Sequence, residues 1–278
     1  MIEVIRQQLT PQMPAEEKMN RTREFLQIIC LKVLSDKGYF EQLAFTGGTA
    51  LRLLFGVRRF SEDLDFSLIK KEGYAFEVLC ERVLNELRLT GLMVEARSKD
   101  ATNVHSLLVK FPGILKEVGL SALADQKLSV KLEIDSNPPA GGQMATMFVS
   151  RTYVFNVTHF DLPSMFATKL HACFYRKYTK GRDFYDLIWY MANKVRPNFR
   201  LLNNAISQTQ GVSSSIGEKN FREFLLKGIN KVDFVVARKD VERFLEDKSE
   251  LRLFEKDLMP ASIESYLAAI DLKAAGSG

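Results

Sequence analysis

Between residues 16 and 37, apolar side chains return near every 3.6 positions. Phe25, Ile28, Ile29 and the run from Leu31 to Leu34 share a stripe, so the spacing predicts an amphipathic helix. From Ala44 to Phe55 the pattern changes to a Gly-Gly turn followed by a short helix, which stops at Gly56. Between Arg58 and Leu68 the period shortens to two, ending in the strand-like Leu64-Asp65-Phe66-Ser67-Leu68. Residues 72–90 return to a helical period, and extended segments are expected at 92–98, 104–111 and 127–134. The last of these, KLSVKLEID, alternates most cleanly. Ser136 to Gly142 reads SNPPAGG, a turn or loop, and Thr152 to Val157 is a further strand candidate. Beyond Pro163 the pattern is helical, with helices expected at 163–178, 182–195, 198–209, 218–228, 233–247 and 260–272. A mixed α/β half over residues 1–160 and a helical region over 161–272 follow, with 273–278 expected to form a disordered tail.

Composition narrows the class without choosing a function. The 278 residues suffice for one large domain or two ordinary ones, and 46% hydrophobic with 26% charged residues describes a soluble globular chain. A net charge of +5 fits a polyanionic partner without requiring one. Cys30, Cys80 and Cys173 match no zinc spacing, and an odd count argues against a disulfide framework. With no apolar run of bilayer length, and no hydrophobic signal region in MIEVIRQQL, a cytoplasmic location is the expectation.

The chemistry concentrates in two places. Asp63 and Asp65 are two apart on an expected strand, so both carboxylates project from one face while Leu64 and Phe66 project from the other. Carboxylates held so close repel unless a cation neutralises them, and oxygen donors suit Mg²⁺ or Mn²⁺. Upstream, Gly47-Gly48-Thr49 precedes a helix, where glycines permit close backbone approach and free N–H groups bind phosphate. Thr49 offers a hydroxyl, Arg58 and Arg59 are expected to turn toward the same pocket, and Ser61 precedes the acid pair. A third acid is expected from Lys131-Leu132-Glu133-Ile134-Asp135, where Lys131, Glu133 and Asp135 share a face and either acid is a candidate. The second place runs from Lys169 to Leu187. Its first part is basic, with Arg176, Lys177, Lys180 and Arg182 interleaved with Tyr175 and Tyr178, a composition that suits phosphates and stacked bases. Asp183 and Asp186, three apart on a helix, lie on one face, although Asp183 could instead cap the helix start. His105, His159 and His171 show no metal-ligand spacing and are taken as structural or surface residues; Trp189 with Leu187, Ile188 and Met191 reads as helical core.

Gly48-Thr49 followed by Asp63-Leu64-Asp65-Phe66 resembles the signature of the polymerase-β nucleotidyltransferase superfamily. The longer string TGGTALRLLFGVRRFSEDLDFSL is similar to the first motif of AbiEii/AbiGii-type nucleotidyltransferase toxins. Lys169 and the later Arg182-Asp183-Phe184-Tyr185-Asp186-Leu187 resemble the second half of that motif set, a lysine followed by Arg-Asp-x-x-Asp-Leu. The resemblance implies an α/β (α+β) fold: a polymerase-β-like core with a mixed sheet, then a mainly helical C-terminal region. It implies Mg²⁺- or Mn²⁺-dependent transfer of a nucleoside monophosphate from an NTP to an RNA acceptor. In known relatives that acceptor is the tRNA 3′ end, and its modification blocks translation in toxin–antitoxin and abortive-infection systems. A cognate antitoxin is the implied protein partner.

Carried over by position, Asp63 and Asp65 are catalytic and hold the metal, with Glu133 or Asp135 as the third acid. Gly47, Gly48, Thr49, Arg59, Ser61 and Lys169 face the nucleotide. Asp186, or Asp183, aligns or deprotonates the acceptor hydroxyl. A phosphotransferase on the same scaffold and a non-catalytic RNA-binding module are the competing readings, and the intact acid pair weighs against the module.

Overall fold

The computed structural model describes residues 1–123, 125–255 and 258–275, with side chains as far as residue 270. The chain divides into two compact units, one of Met1–Pro138 with Met144–His159 and the other of Pro139–Gln143 with Phe160–Gly278.

The first unit is built on a mixed seven-stranded sheet. After α1 (Ile2–Gln7) and α2 (Ala15–Asp36) come β1 (Leu43–Thr46), α3 (Gly47–Phe55), β2 (Asp63–Leu68) and α4 (Phe76–Leu89). Then follow β3 (Glu95–Asp100), β4 (Val104–Pro112), the short α5 (Ile114–Glu117), β5 (Lys127–Asp135), β6 (Met144–Ser150) and β7 (Val154–Phe160). The strand order is β3-β4-β5-β2-β1-β7-β6. β1 runs antiparallel to β2 and parallel to β7, while β2 runs parallel to β5. Alternation fixes which face is buried: Leu64 and Phe66 of β2 and Val130, Leu132 and Ile134 of β5 are all buried. α2 packs on β5 and on α4, which itself contacts β3 and β4. Phe45 and Phe66, 5.4 Å apart between ring centroids, mark the middle of this core.

The expected strands at 127–134 and 104–111 match β5 and β4 closely. β1 and β6 have no counterpart among the expectations. β1 is only four residues long, too short for alternation to register, and directly precedes the glycine turn.

The second unit is helical: α6 (Leu162–Tyr175), α7 (Gly181–Ala192), α8 (Phe199–Gln210), α9 (Glu218–Ile229), α10 (Phe234–Val241) and α11 (Leu258–Ala275). Asp161 caps α6 by accepting from the Ser164 backbone N–H at 2.9 Å, with a proline in the first turn. α6 packs against α7 and α8, and α7 against α10 and α11. Phe166 stacks on Tyr190 at 4.6 Å between ring centroids, joining α6 to α7. α7 meets α10 so closely that a Cβ at Gly181 would strike the Ala237 carbonyl. Helix α11 includes residues 273–275 of the expected tail; residues 276–278 lie outside the described residues. No helix among the described residues is long and apolar enough to cross a membrane.

Candidate active site

The register of β2 against β5 arranges the acids. Asp63 lies opposite Lys131, Asp65 opposite Glu133 and Ser67 opposite Asp135. Side chains paired across neighbouring strands share a face, so Asp63, Asp65, Lys131, Glu133 and Asp135 project from one side of the sheet. Of the two third-acid candidates, Glu133 is the one level with Asp65. Asp135 sits one pleat further along, where it accepts from the Asn137 backbone N–H at 2.9 Å and burial pushes its carboxyl up from the ordinary aspartate value.

The glycine turn meets the acid pair through backbone geometry. Thr46, the last residue of β1, pairs with Asp65, and Gly47 then opens α3 with a φ of 77°. That angle belongs to the left-handed region, and a Cβ at Gly47 would collide with the Asp65 carboxylate. Gly48 is constrained on its other side, where a Cβ would strike the Arg59 guanidinium and approach Ser61 Oγ at 3.1 Å. Gly47, Gly48, Arg59, Ser61 and Asp65 therefore converge. Thr49 and Arg59 have different surroundings from those the sequence suggested. Thr49 is fully buried, and its hydroxyl donates to the Asp63 backbone oxygen, tying the start of α3 to β2. Its backbone N–H, in the first turn of α3, remains its means of meeting an anion. Arg59 is 2% exposed and donates to the Phe60 carbonyl at 2.9 Å, so its charge acts from beneath Gly48.

Two supporting residues were absent from the sequence reading, and a third was given no part there. Gln27 of α2 donates to the Ser61 carbonyl at 3.1 Å and fixes the approach to β2. Arg52 pairs with Glu24 and lies 4.0 Å over the Phe60 ring, holding the segment between α3 and β2. Lys131 was placed on the acid face by alternation but given no part. Its Nζ donates to Glu133 Oε1 at 2.6 Å, and that bond, reinforced by the charges of Glu133, Asp63 and Asp65, raises it above the ordinary lysine value despite partial desolvation.

Hard carboxylate oxygens on one sheet face suit a divalent cation such as Mg²⁺ or Mn²⁺. Among the described residues, no group of three or more His, Cys, Asp or Glu side chains forms a ready cage. Asp63 and Asp65, on one face of β2, are the residues that could hold such a cation.

In the second unit, Lys169 of α6 reaches Asp183 Oδ1 at 2.7 Å and Asp186 Oδ2 at 2.9 Å, both on α7. Lys169 is 9% exposed and Asp186 fully buried, so this is an interior ion cluster, joined from the rim by Arg176 on Asp183. The helix periodicity that puts Asp183 and Asp186 on one face is borne out. Asp183 is not the cap: α7 starts at Gly181, after Lys180. The basic–aromatic run lies beside this cluster. Tyr178 is 62% exposed, with Arg176 at 6.0 Å and Lys180 at 5.7 Å from its ring centroid. Cys30 and Cys80 are buried thiols and Cys173 is half-buried; all three are free.

Comparison with known proteins gives this geometry a setting. A family model described as "Nucleotidyl transferase AbiEii toxin, Type IV TA system" matches residues 29–269. A Helicobacter pylori crystal structure assigned provisionally as a nucleotidyltransferase superposes with a TM-score of 0.57 at 21% identity, covering 95% of this chain and 98% of the other. The crystal structure of JHP933 from Helicobacter pylori superposes with a TM-score of 0.55 at 21% identity, covering 92% and 95%. At that identity the likeness concerns the fold. No curated protein matches the chain.

Proposed function

Because this chain belongs to the AbiEii nucleotidyl transferase toxin family, we propose that it transfers a nucleoside monophosphate from an NTP to an RNA acceptor, the 3′ end of tRNA, and so stops translation. Membership makes it a nucleotidyltransferase of a type IV toxin–antitoxin system. The metal, the acceptor and the residue roles are the further reading.

One observation carries it: the Asp65 carboxylate is packed against Gly47, at the mouth of the α3 N-terminus, with Asp63 on the same sheet face. An anion held by the backbone N–H groups of residues 47–49 would therefore lie beside two carboxylates. A divalent cation, Mg²⁺ or Mn²⁺, would offset the repulsion between those two groups and supply charge neutralisation at the phosphates. Asp63 and Asp65 hold it, and Glu133 is the third acid. Gly47, Gly48 and Thr49 cradle the triphosphate through their backbones. Arg59 contributes a fixed positive charge below the cradle, and Ser61 a hydroxyl at its edge. The family resemblance gives Lys169 and Asp186 phosphate neutralisation and alignment of the acceptor hydroxyl, but both are buried in an ion cluster with Asp183 inside the helical unit, so the part proposed for them is to hold α6 against α7. The exposed Tyr178, between two cations, suits an RNA partner.

Purified protein is incubated with total tRNA and each NTP, labelled at the α-phosphate in one set and the γ-phosphate in another. Nucleotidyl transfer moves the α-label into tRNA and leaves the γ-label in pyrophosphate. Label from the γ-position alone would make the protein a phosphotransferase. Binding of tRNA without label from any NTP would leave only an RNA-binding role.

A further inference from the structure

The face that carries the acid pair holds a cation of its own. Lys131 lies opposite Asp63 and Glu133 opposite Asp65, so one ammonium and three carboxylates share a face of two neighbouring strands. The ammonium is bound to Glu133 at 2.6 Å and also feels the charges of Asp63 and Asp65. It thus sets a positive charge on the face where a divalent ion would bind. It is not locked there. The Lys131 side chain is 38% exposed, and a groove lined by Arg23, Asp63, Lys127, Ser129 and Lys131 opens beside it. A lysine on four flexible methylenes can exchange one anion for another without disturbing the strand that bears it.

Resting on the nucleotidyltransferase reading, we propose that Lys131 is a built-in counter-cation that keeps the acid cluster closed to divalent ions until the triphosphate of a nucleotide draws the ammonium away. A triphosphate offers Lys131 a more highly charged acceptor than one carboxylate does. Its departure releases Glu133 and removes the positive charge that opposes a metal at Asp63 and Asp65. Metal and nucleotide then bind as a coupled pair, each strengthening the other by the same factor. No bond is made or broken; an ammonium exchanges one anionic partner for another.

The test is Mn²⁺ binding to the metal-stripped full chain, read from the electron paramagnetic resonance signal of free Mn²⁺. It is made with and without a nucleoside triphosphate whose α–β bridge is a methylene, so that nothing reacts. The wild type is expected to bind Mn²⁺ weakly alone and at least about tenfold more tightly with the analogue. Lys131→Met is expected to bind Mn²⁺ alone at least about tenfold more tightly than the wild type, with a smaller further gain from the analogue than the wild type shows. Adding Asp65→Asn should remove that gain. A circular-dichroism spectrum verifies each fold, and Lys131→Gln serves if the methionine variant does not fold. Equal or weaker Mn²⁺ binding by the Lys131 variant, including no binding by either protein, overturns the proposal. α-Label transfer to tRNA is scored separately. A protein that shows the Mn²⁺ coupling yet transfers no label would lose the reaction and keep the switch.

Discussion

Asp65 and Gly47 depend on each other in a way that a single substitution exposes. Alanine at position 47 must adopt a left-handed φ, a strain of about 1–3 kcal/mol, and must also displace the Asp65 carboxylate. Gly47→Ala is therefore expected to lower thermal stability modestly and to lower transfer at least about a hundredfold, the scale of losing one pre-aimed electrostatic group. Gly38→Ala, also at positive φ but with open space around its Cβ, should show the stability loss without the loss of transfer. At this scale much of the site was legible. A period of two put Asp63 and Asp65 on one face, and the same alternation put Lys131, Glu133 and Asp135 together. What the sequence could not give was register, which depends on pairing between strands remote in sequence. Hence Glu133, level with Asp65, could not be told from Asp135, and the ion pair of Lys131 with Glu133 could not be seen. Burial of Arg59 was hidden for a similar reason: an arginine between a helix and a strand gives no local sign of packing against a glycine.

Among the elements, the α6–α7 pair rests on an interior charge cluster. Lys169→Met leaves Asp186 and part of Asp183 buried without their cation, which is expected to cost about 3–5 kcal/mol. A urea titration followed by Trp189 fluorescence on α7 measures this locally, and a change under about 1 kcal/mol would mean that the carboxylates find other partners. A weaker and pH-dependent contribution comes from His171 on α6. Burial, with the Arg176 charge nearby, lowers its pKa below the ordinary 6.5, so the unfolded chain takes up the proton first. Its contribution to stability is full above the unfolded value and is lost as pH falls through the lower folded value. The urea midpoint of the wild type should thus drop more steeply below about pH 6.5 than that of His171→Gln; parallel curves would show that His171 is not the group responsible. Helical periodicity found α6 to α9 because each buries one long stripe. It gave no sign of β1, whose four residues are nearly all apolar and run straight into the glycine turn.

Each unit has its own apolar core, one on the sheet and one among the helices. Chelation of divalent cations is therefore expected to stop transfer and leave the unfolding midpoint nearly unchanged. Mg²⁺ or Mn²⁺ should then restore activity without refolding. A midpoint that collapses on chelation would point to a structural metal. Fold class was readable at this scale because the strands of the mixed sheet and the helices from α6 onward each keep their own period along the chain. The most direct test of the shared nucleotide site is the single-turnover rate of α-label transfer to tRNA by Asp65→Asn, a variant that keeps the shape of the side chain and removes its charge. The rate should fall at least about a hundredfold with the circular-dichroism spectrum unchanged. A rate within threefold of the wild type would contradict a catalytic role for the acid beside Gly47.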